Sequence, residues 1–232
     1  MADRRGRVLL LMFVVLVACG GAVAYYFYRG VSAVPEFYAE ACAMPIEQAA
    51  QASDEFSDQA FDLANDVERL GEWSALFTDQ QINGWLATDL VKKHPELLPP
   101  GFENPRIHVM DNHGRIGVRY TMAGVPTVAW IDVEAALTPD HEIALRIREI
   151  RAGNVPLPLA TLMEAITNAA QTMEVPLRWA SLEDSPTAII SLPQPQGDSL
   201  RYELRNLKLE PGRLFVSGRT YSPSAAESLA GQ

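Results

Sequence analysis

Residues 8–28 form an unbroken run of 21 residues without a charged side chain. A helix rises about 1.5 Å per residue, so this run matches the roughly 30 Å hydrocarbon core of a bilayer. Three arginines precede the run and a fourth, Arg29, closes it. An excess of arginine before a span favours a cytoplasmic N-terminus. The sequence therefore predicts a cytoplasmic tip and transmembrane anchor over residues 1–29, with the bulk of the chain outside the cytoplasm and tethered to the cell membrane.

Cys19 raises a second interpretation of the same segment. Residues 16–19, Leu-Val-Ala-Cys, resemble a bacterial lipobox, where a signal peptide is cut and the new terminal cysteine is acylated. The residues that follow are apolar, whereas an acylated cysteine usually leads into a polar tether. The apolar residues also extend the run to spanning length, so we favour an uncleaved anchor over lipidation of Cys19. Both interpretations place the remaining chain outside the cytoplasm.

The exported part is strongly acidic. Removing residues 1–29 takes away four of the 19 basic residues and one of the 29 acidic ones, which leaves 15 against 28 and a net charge of −13. Such a surface is repelled by nucleic acid, so we exclude nucleic acid as a partner. About 200 residues suffice for one core-bearing domain. The chain has two cysteines, one of which lies inside the apolar run, so no intrachain disulfide is expected.

Residues 30–72 read as an acidic helical segment. There are nine acidic residues and no basic one between positions 30 and 68. Small and apolar residues recur there at spacings of three and four, which indicates a helix stripe. Pro35 and Pro45 each suit a first-turn position, so the segment is either two helices or one helix kinked at Pro45. The stripe comprises Ile46, Ala49, Ser53, Phe56, Ala60, Leu63, Val67 and Leu70. It serves either a self-associating coiled coil or a helix that packs on its own domain; we favour the second, because alanine and serine make a weak zipper seam.

Residues 73–222 are predicted to form an extracytoplasmic α+β domain. A strand over 73–77 leads into a helix that begins with the capping-box pair Thr78 and Gln81. Alternating segments then predict a four-stranded antiparallel meander with one wet face, through residues 107–109, 116–122, 129–137 and 143–147.

The pattern then repeats in outline. A helix opens at Pro158, and strands follow around 177–182, 188–192, 200–209 and 214–220. The fold class is thus a transmembrane helix, an acidic helical segment, and antiparallel sheets packed on amphipathic helices, with two helix-plus-meander halves as one arrangement. The tail at 223–232 is small and polar and is expected to be flexible.

The stretch from 144 to 192 resembles the YpmS-like family of bacterial single-pass membrane-anchored proteins of unknown function. The matching elements are residues 150–153 (Ile-Arg-Ala-Gly), 155–158 (Val-Pro-Leu-Pro), 175–179 with Trp179, and the helix start at 78–83. The resemblance extends over roughly 75–220 and implies one membrane pass and an exported α+β domain, without catalytic residues. Read physically, Gly153 allows a positive φ after a strand, so we interpret it as a fold-specifying residue.

No stretch carries a specific catalytic signature. There is no Gly-x-Ser-x-Gly elbow, no His-Glu-x-x-His pair and no phosphate-binding glycine loop. His108, Asp111 and His113 invite a metal interpretation, but 108 and 113 differ by an odd number, which on one strand separates them to opposite faces. We therefore predict no metal, no cofactor and no catalytic residue, and lean against an enzyme.

One binding hypothesis remains. Apolar residues of the second helix, with two tryptophans from strands, are candidates to line a groove for an acyl chain; these are Leu159, Leu162, Met163, Ile166, Met173, Trp130 and Trp179. The leading functional prediction is a membrane-tethered, non-enzymatic extracytoplasmic domain that binds a lipid or an envelope protein. The alternatives are a homo-oligomeric assembly module that self-associates through the 46–70 helix, and an unrecognised hydrolase with scattered acidic residues.

Overall fold

The computed structural model describes residues 21, 25–98, 100–122, 124–172, 175–182, 185–192 and 200–223. Within these residues no helix is both long enough and apolar enough to span a membrane. Most of the predicted span over 8–28, and with it Cys19, lies outside the described part of the chain, as does the predicted tail after residue 223.

The N-terminal segment consists of helices separated by prolines. Residues 25–31 are helical, and they are followed by α1 (Glu36–Cys42) and α2 (Ile46–Val67). Pro35 and Pro45 stand immediately before α1 and α2, where a residue without an N–H breaks no helix hydrogen bond. The acidic segment is therefore two helices rather than one kinked helix.

The predicted helix start at Thr78 is confirmed. After β1 (Gly71–Thr78), the helix α3 (Asp79–Ala87) begins with a complete capping box: the Gln81 N–H donates to Thr78 Oγ1 (3.1 Å), and the Thr78 N–H donates to Gln81 Oε1 (2.9 Å). The helix ends at Ala87. At Thr88 the hydroxyl donates to the Gly84 carbonyl, and a short second helix, α4 (Asp89–Lys93), follows.

The predicted antiparallel meander is present and forms most of the larger sheet. Its strands are β2 (Glu103–Val109), β3 (His113–Met122), β4 (Val125–Leu137) and β5 (Ile143–Ala152). The short β6 (Val155–Pro156) pairs with β5 and leads to α5 (Ala160–Thr172). The hairpin β7 (Leu177–Leu182) and β8 (Ser185–Ile190) then adds to β5, which gives the order β2-β3-β4-β5-β8-β7.

A smaller sheet joins the two ends of the domain. The last strands, β9 (Arg201–Glu210) and β10 (Arg213–Tyr221), pair with β1 in the order β1-β10-β9. The second group of strands thus divides between the two sheets, so the fold does not consist of two separate helix-plus-meander halves. The α+β class with antiparallel sheets is confirmed.

Different apolar clusters cover the two faces of the larger sheet. On one face, Val133, Ile147 and Ile150 pack with residues from the α5 side of the domain; these include Ile131, Leu157, Leu159, Ile166 and Trp179. On the other face, Val128 and Trp130 pack with Phe37 and Tyr38 of α1. Alternate side chains of β4 therefore supply both cores, as the period-two geometry of a strand requires.

The helix α2 packs against its own domain. Ala49, Ala52 and Ser53 are buried where α2 crosses α3, and Phe56 contacts Phe77 of β1 at a ring distance of 5.2 Å. Two of the eight residues of the predicted stripe, Ala49 and Ser53, are thus buried inside the monomer, and a third, Phe56, packs on β1. Other large apolar side chains along this segment stay in solvent: Ile46, Phe61 and Leu70 are 65–68% exposed.

Candidate functional site

The residues predicted to line an acyl-chain groove do not converge on one site. Leu159, Ile166 and Trp179 pack in the α5-side core. Trp130 lies on the opposite face of the sheet, where its indole N–H donates to the Gly153 carbonyl (2.8 Å). Met163 is half-buried on α5, whereas the side chain of Leu162 and the whole of Met173 lie outside the described residues. The sequence pattern did not reveal that neighbouring residues of one strand pack into different apolar clusters, on opposite faces of the larger sheet.

Three surface clefts occur among the described residues, and none of the three is lined by those groove residues. One cleft, of about 400 Å³, lies between α1, the start of α2, α3 and β2. Two others, of about 500 and 280 Å³, share the ion-paired side chains of Glu134 and Arg146, whose oxygen and nitrogen are 2.7 Å apart.

The cleft beside α1 is the only one of these three that combines an aromatic wall with an acid–imidazole pair. His108 Nδ1 lies 3.4 Å from Asp79 Oδ2, and the His108 ring stacks on Phe37 at 6.4 Å. Asn83 supports this wall, because its side-chain amide bonds both the N–H and the carbonyl of Ile107 at 2.8 Å. The lining residues include no serine, threonine or cysteine, so the cleft offers hydrogen bonds and charge but no hydroxyl or thiol nucleophile.

His108 and His113 lie on the same face of the β2–β3 hairpin. The prediction that their odd spacing places them on opposite faces is therefore wrong. His108 pairs with Arg115 across the hairpin, and His113 is two residues from Arg115 on β3. The parity rule holds along one strand, but a turn separates these residues. Each histidine has its own carboxylate: Asp79 for His108, and Asp132 for His113, at 3.9 Å. Among the described residues no group of three or more potential ligands is placed to hold a metal ion.

A long-range contact joins residues 30–33 to the larger sheet. The Asn154 N–H donates to the Gly30 carbonyl (2.9 Å), and the Thr127 hydroxyl donates to the Val31 carbonyl (2.5 Å). Val31 itself is 2% exposed. The backbone that immediately follows the apolar N-terminal run is thus bonded to β4 and to the β5–β6 turn; we call this contact the junction.

Gly153 makes the junction possible. It adopts a φ of +56°, and a Cβ there would lie 2.4, 2.5 and 2.8 Å from the carbonyl oxygens of Gly30, Val31 and Ala33. Real Cβ atoms do not approach oxygen this closely, so any side chain must displace the segment or the turn. The predicted positive φ of Gly153 is confirmed. The partner of this turn was not foreseen, because no local pattern links residue 153 to residues more than a hundred positions earlier.

The chain runs from the junction into the domain. Phe37 and Tyr38, four to five residues beyond the junction, pack against Gly117 of β3 and Trp130 of β4. The Tyr38 hydroxyl donates to the Asn104 carbonyl (2.7 Å), and burial, together with the nearby Cys42 thiol, raises its pKa to about 12. In the opposite direction, the side chains of residues 25–28 leave the domain and are 55–73% exposed.

No protein-family model, curated protein or solved structure matches the chain significantly.

Proposed function

We propose that the chain is a membrane-tethered, non-enzymatic extracytoplasmic domain, held at a defined orientation beside the bilayer, where it binds a lipid or an envelope protein. The junction is the observation that carries this proposal. A flexible tether would need no bonds between residues 30–33 and the sheet, whereas here both carbonyls have partners and Val31 is buried.

The residues just before the junction suit a membrane interface. Residues 25–28 are Tyr-Tyr-Phe-Tyr, and all four side chains are exposed in the described structure. Tyrosine is enriched where spans meet the headgroups, because its ring is apolar and its hydroxyl is polar. The uncharged run over 8–28 supplies the span. The resemblance to the YpmS-like family implies the same placement.

We propose binding rather than catalysis because the cleft beside α1 supplies recognition groups but no hydroxyl or thiol nucleophile. Its lining combines Phe37 and Met44 with Glu40, Asp79 and His108. Half of its twelve lining residues are polar or charged, so the cleft offers hydrogen-bonding groups beside apolar walls.

Cys42 allows a direct test of the tether and of the side on which the domain lies. It is exposed, and after Cys19→Ser it is the single thiol of the full-length chain. We expect a membrane-impermeant maleimide to label Cys42 in intact spheroplasts, and the chain to float with membranes. A matched control carries Ala2→Cys in a chain with both natural cysteines replaced, and should label only after permeabilisation. Labelling of Cys42 only after permeabilisation, or a chain that does not float, contradicts the proposal.

A second candidate function, self-association through the 46–70 helix, is supported by the exposure of Ile46, Phe61 and Leu70. Its test is the mass of the detergent-solubilised full-length protein by light scattering. A dimer that Phe61→Asp dissociates supports this function, and a monomer at every concentration contradicts it.

A further inference from the structure

The β3–β4 hairpin extends beyond its neighbouring strands at the end of the sheet that holds the junction. Pairing with β2 reaches only Arg119, and pairing with β5 reaches only Ala129, so the described residues 120–122 and 124–126 lie beyond both pairings, whereas Thr127 and Val128 are buried. The junction uses Thr127 of this same hairpin. The projecting part and residues 25–28 therefore both adjoin the junction, because Thr127 belongs to the hairpin and Gly30 directly follows the residues 25–28 along the chain with only Arg29 between them.

The projecting part carries no charged side chain. No acidic or basic residue occurs between Arg119 and Asp132, whereas 21% of the whole chain is charged. The described side chains beyond the junction are Tyr120, Thr121, Met122, Val125 and Pro126, and we call them the hairpin-end surface. Thr121 and Pro126 are exposed and the other three are half-buried. A ring stack at 5.2 Å between Phe102 and Tyr120 supports its base.

The reach of the hairpin matches that of the N-terminal helix. Met122 pairs with Val125, two residues beyond Thr127, which corresponds to about 7 Å of strand. Tyr25 precedes Val31 by six residues, or about 9 Å of helix. The hairpin-end surface and the aromatic residues 25–28 thus extend over comparable distances from the junction.

We propose that the hairpin-end surface seats in the headgroup layer of the same bilayer that holds residues 8–28. This inference rests on the proposed tether. The occupant is the lipid surface because the apolar run ends within a few residues of the junction. An uncharged tip with apolar and tyrosine side chains also enters the interface without the cost of desolvating a charge. The acidic remainder of the domain is kept away from anionic lipids by the same geometry.

Lipid quenching of a fluorophore tests the contact in the full-length chain. With Cys19 and Cys42 replaced by serine, single cysteines at Thr121→Cys, Tyr26→Cys and Asp140→Cys carry an environment-sensitive dye. The proteins are reconstituted in vesicles of phosphatidylethanolamine and phosphatidylglycerol that contain nitroxide-labelled lipid. Asp140 is the matched control, because it is exposed in the turn at the far end of β4, a 13-residue strand about 43 Å long.

We expect quenching at Tyr26 and Thr121, each at least about twofold stronger than at Asp140, because only these two positions reach the interface. The charge-bearing variant Met122→Asp in the Thr121→Cys chain should lower the quenching at Thr121 to about the Asp140 level. Tryptophan emission of each labelled chain checks that the domain is folded.

The outcomes separate the two claims. Quenching at Tyr26 without quenching at Thr121 overturns the inference and leaves the tether intact. An unquenched dye at Tyr26, or protein that does not float with the vesicles, contradicts the proposed function itself. Another outcome is that the dye at position 121 reports a less watery environment as the amount of protein per vesicle rises, without quenching by the lipid nitroxide. That result identifies a protein as the occupant and also overturns the inference.

Discussion

Two glycines hold the N-terminal part of this chain to the rest of the domain, and they do so by different means. Gly153 is a turn residue with positive φ, beneath three backbone carbonyls of residues 30–33. Gly84 is a helix residue, where an added Cβ would lie 2.7 Å from both the Ala49 carbonyl oxygen and the Ala52 Cβ. The first contact depends on hydrogen bonds, and the second on close helix packing.

The difference shows what each contact controls. The junction at Gly153 fixes where the chain leaves the domain, so it governs orientation relative to the proposed span. The crossing at Gly84 fixes α2 on α3, so it governs how much of the acidic helix is buried. An element that sequence patterning treats as a separate segment is thus attached at both of its ends. Substitutions at the two glycines should have separable consequences.

The largest effect is expected for Gly153→Ala. A left-handed backbone costs a residue with a Cβ about 1–2 kcal/mol, and the overlap with three carbonyls adds about 1–3 kcal/mol. We expect the free energy of unfolding of the detergent-solubilised chain to fall by about 3 kcal/mol in a urea titration followed by tryptophan fluorescence. Gly124→Ala is the matched control, since Gly124 has a φ of +81° with open space around a Cβ. Equal losses in both variants would show that the junction contributes nothing beyond backbone strain.

Gly84→Ala is expected to have a smaller effect on the free energy of unfolding. Alanine gains about 1 kcal/mol of helix propensity over glycine, whereas overpacking costs about 1–3 kcal/mol, so we expect a net loss of about 1 kcal/mol. Adding Ala52→Gly removes one of the two closest atoms and should not restore full stability, because the Ala49 carbonyl remains. A stabilised Gly84→Ala variant would mean that α2 does not pack this closely on α3 in solution.

The smallest effect at neutral pH concerns Tyr38, which lies between the two attachments. Its folded pKa of about 12 exceeds the ordinary value of 10.0, because burial disfavours the phenolate. The corresponding stabilisation is complete below pH 10.0 and is lost as the pH rises through about 12. We therefore expect the midpoint of urea unfolding to fall over this range, and Tyr38→Phe to flatten the decline. An identical decline in both proteins would exclude Tyr38 as its cause.

Local patterns predicted the local features well. The capping box at Thr78, the meander and the positive φ of Gly153 each depend on residues close in sequence. The smaller sheet was not predictable in this way, because the pairing of β1 with β10 joins residues about 140 positions apart. Trp130 is separated from the other described groove residues for a related reason: it is a large apolar residue on a strand, but its face was decided by the strand register.

The junction was also not predictable from the sequence, because its contacts join residues that are far apart along the chain. A glycine after a strand signals a turn, yet the three carbonyls that exclude a side chain there belong to residues 30–33. The uncharged stretch after Arg119 was visible in the sequence, but its meaning depends on how far the hairpin projects past β2 and β5.

A distance measured by pulsed electron paramagnetic resonance tests most directly whether the junction holds the N-terminal helix at a fixed position on the domain. Nitroxides at Tyr26→Cys and Thr121→Cys, in the full-length chain with both natural cysteines replaced, report the geometry between the N-terminal helix and the hairpin in a bilayer. The junction predicts one narrow distance distribution, which Gly153→Ala broadens. A broad distribution in the otherwise unaltered chain would mean that residues 30–33 form a flexible linker, and would contradict a domain held at a fixed orientation.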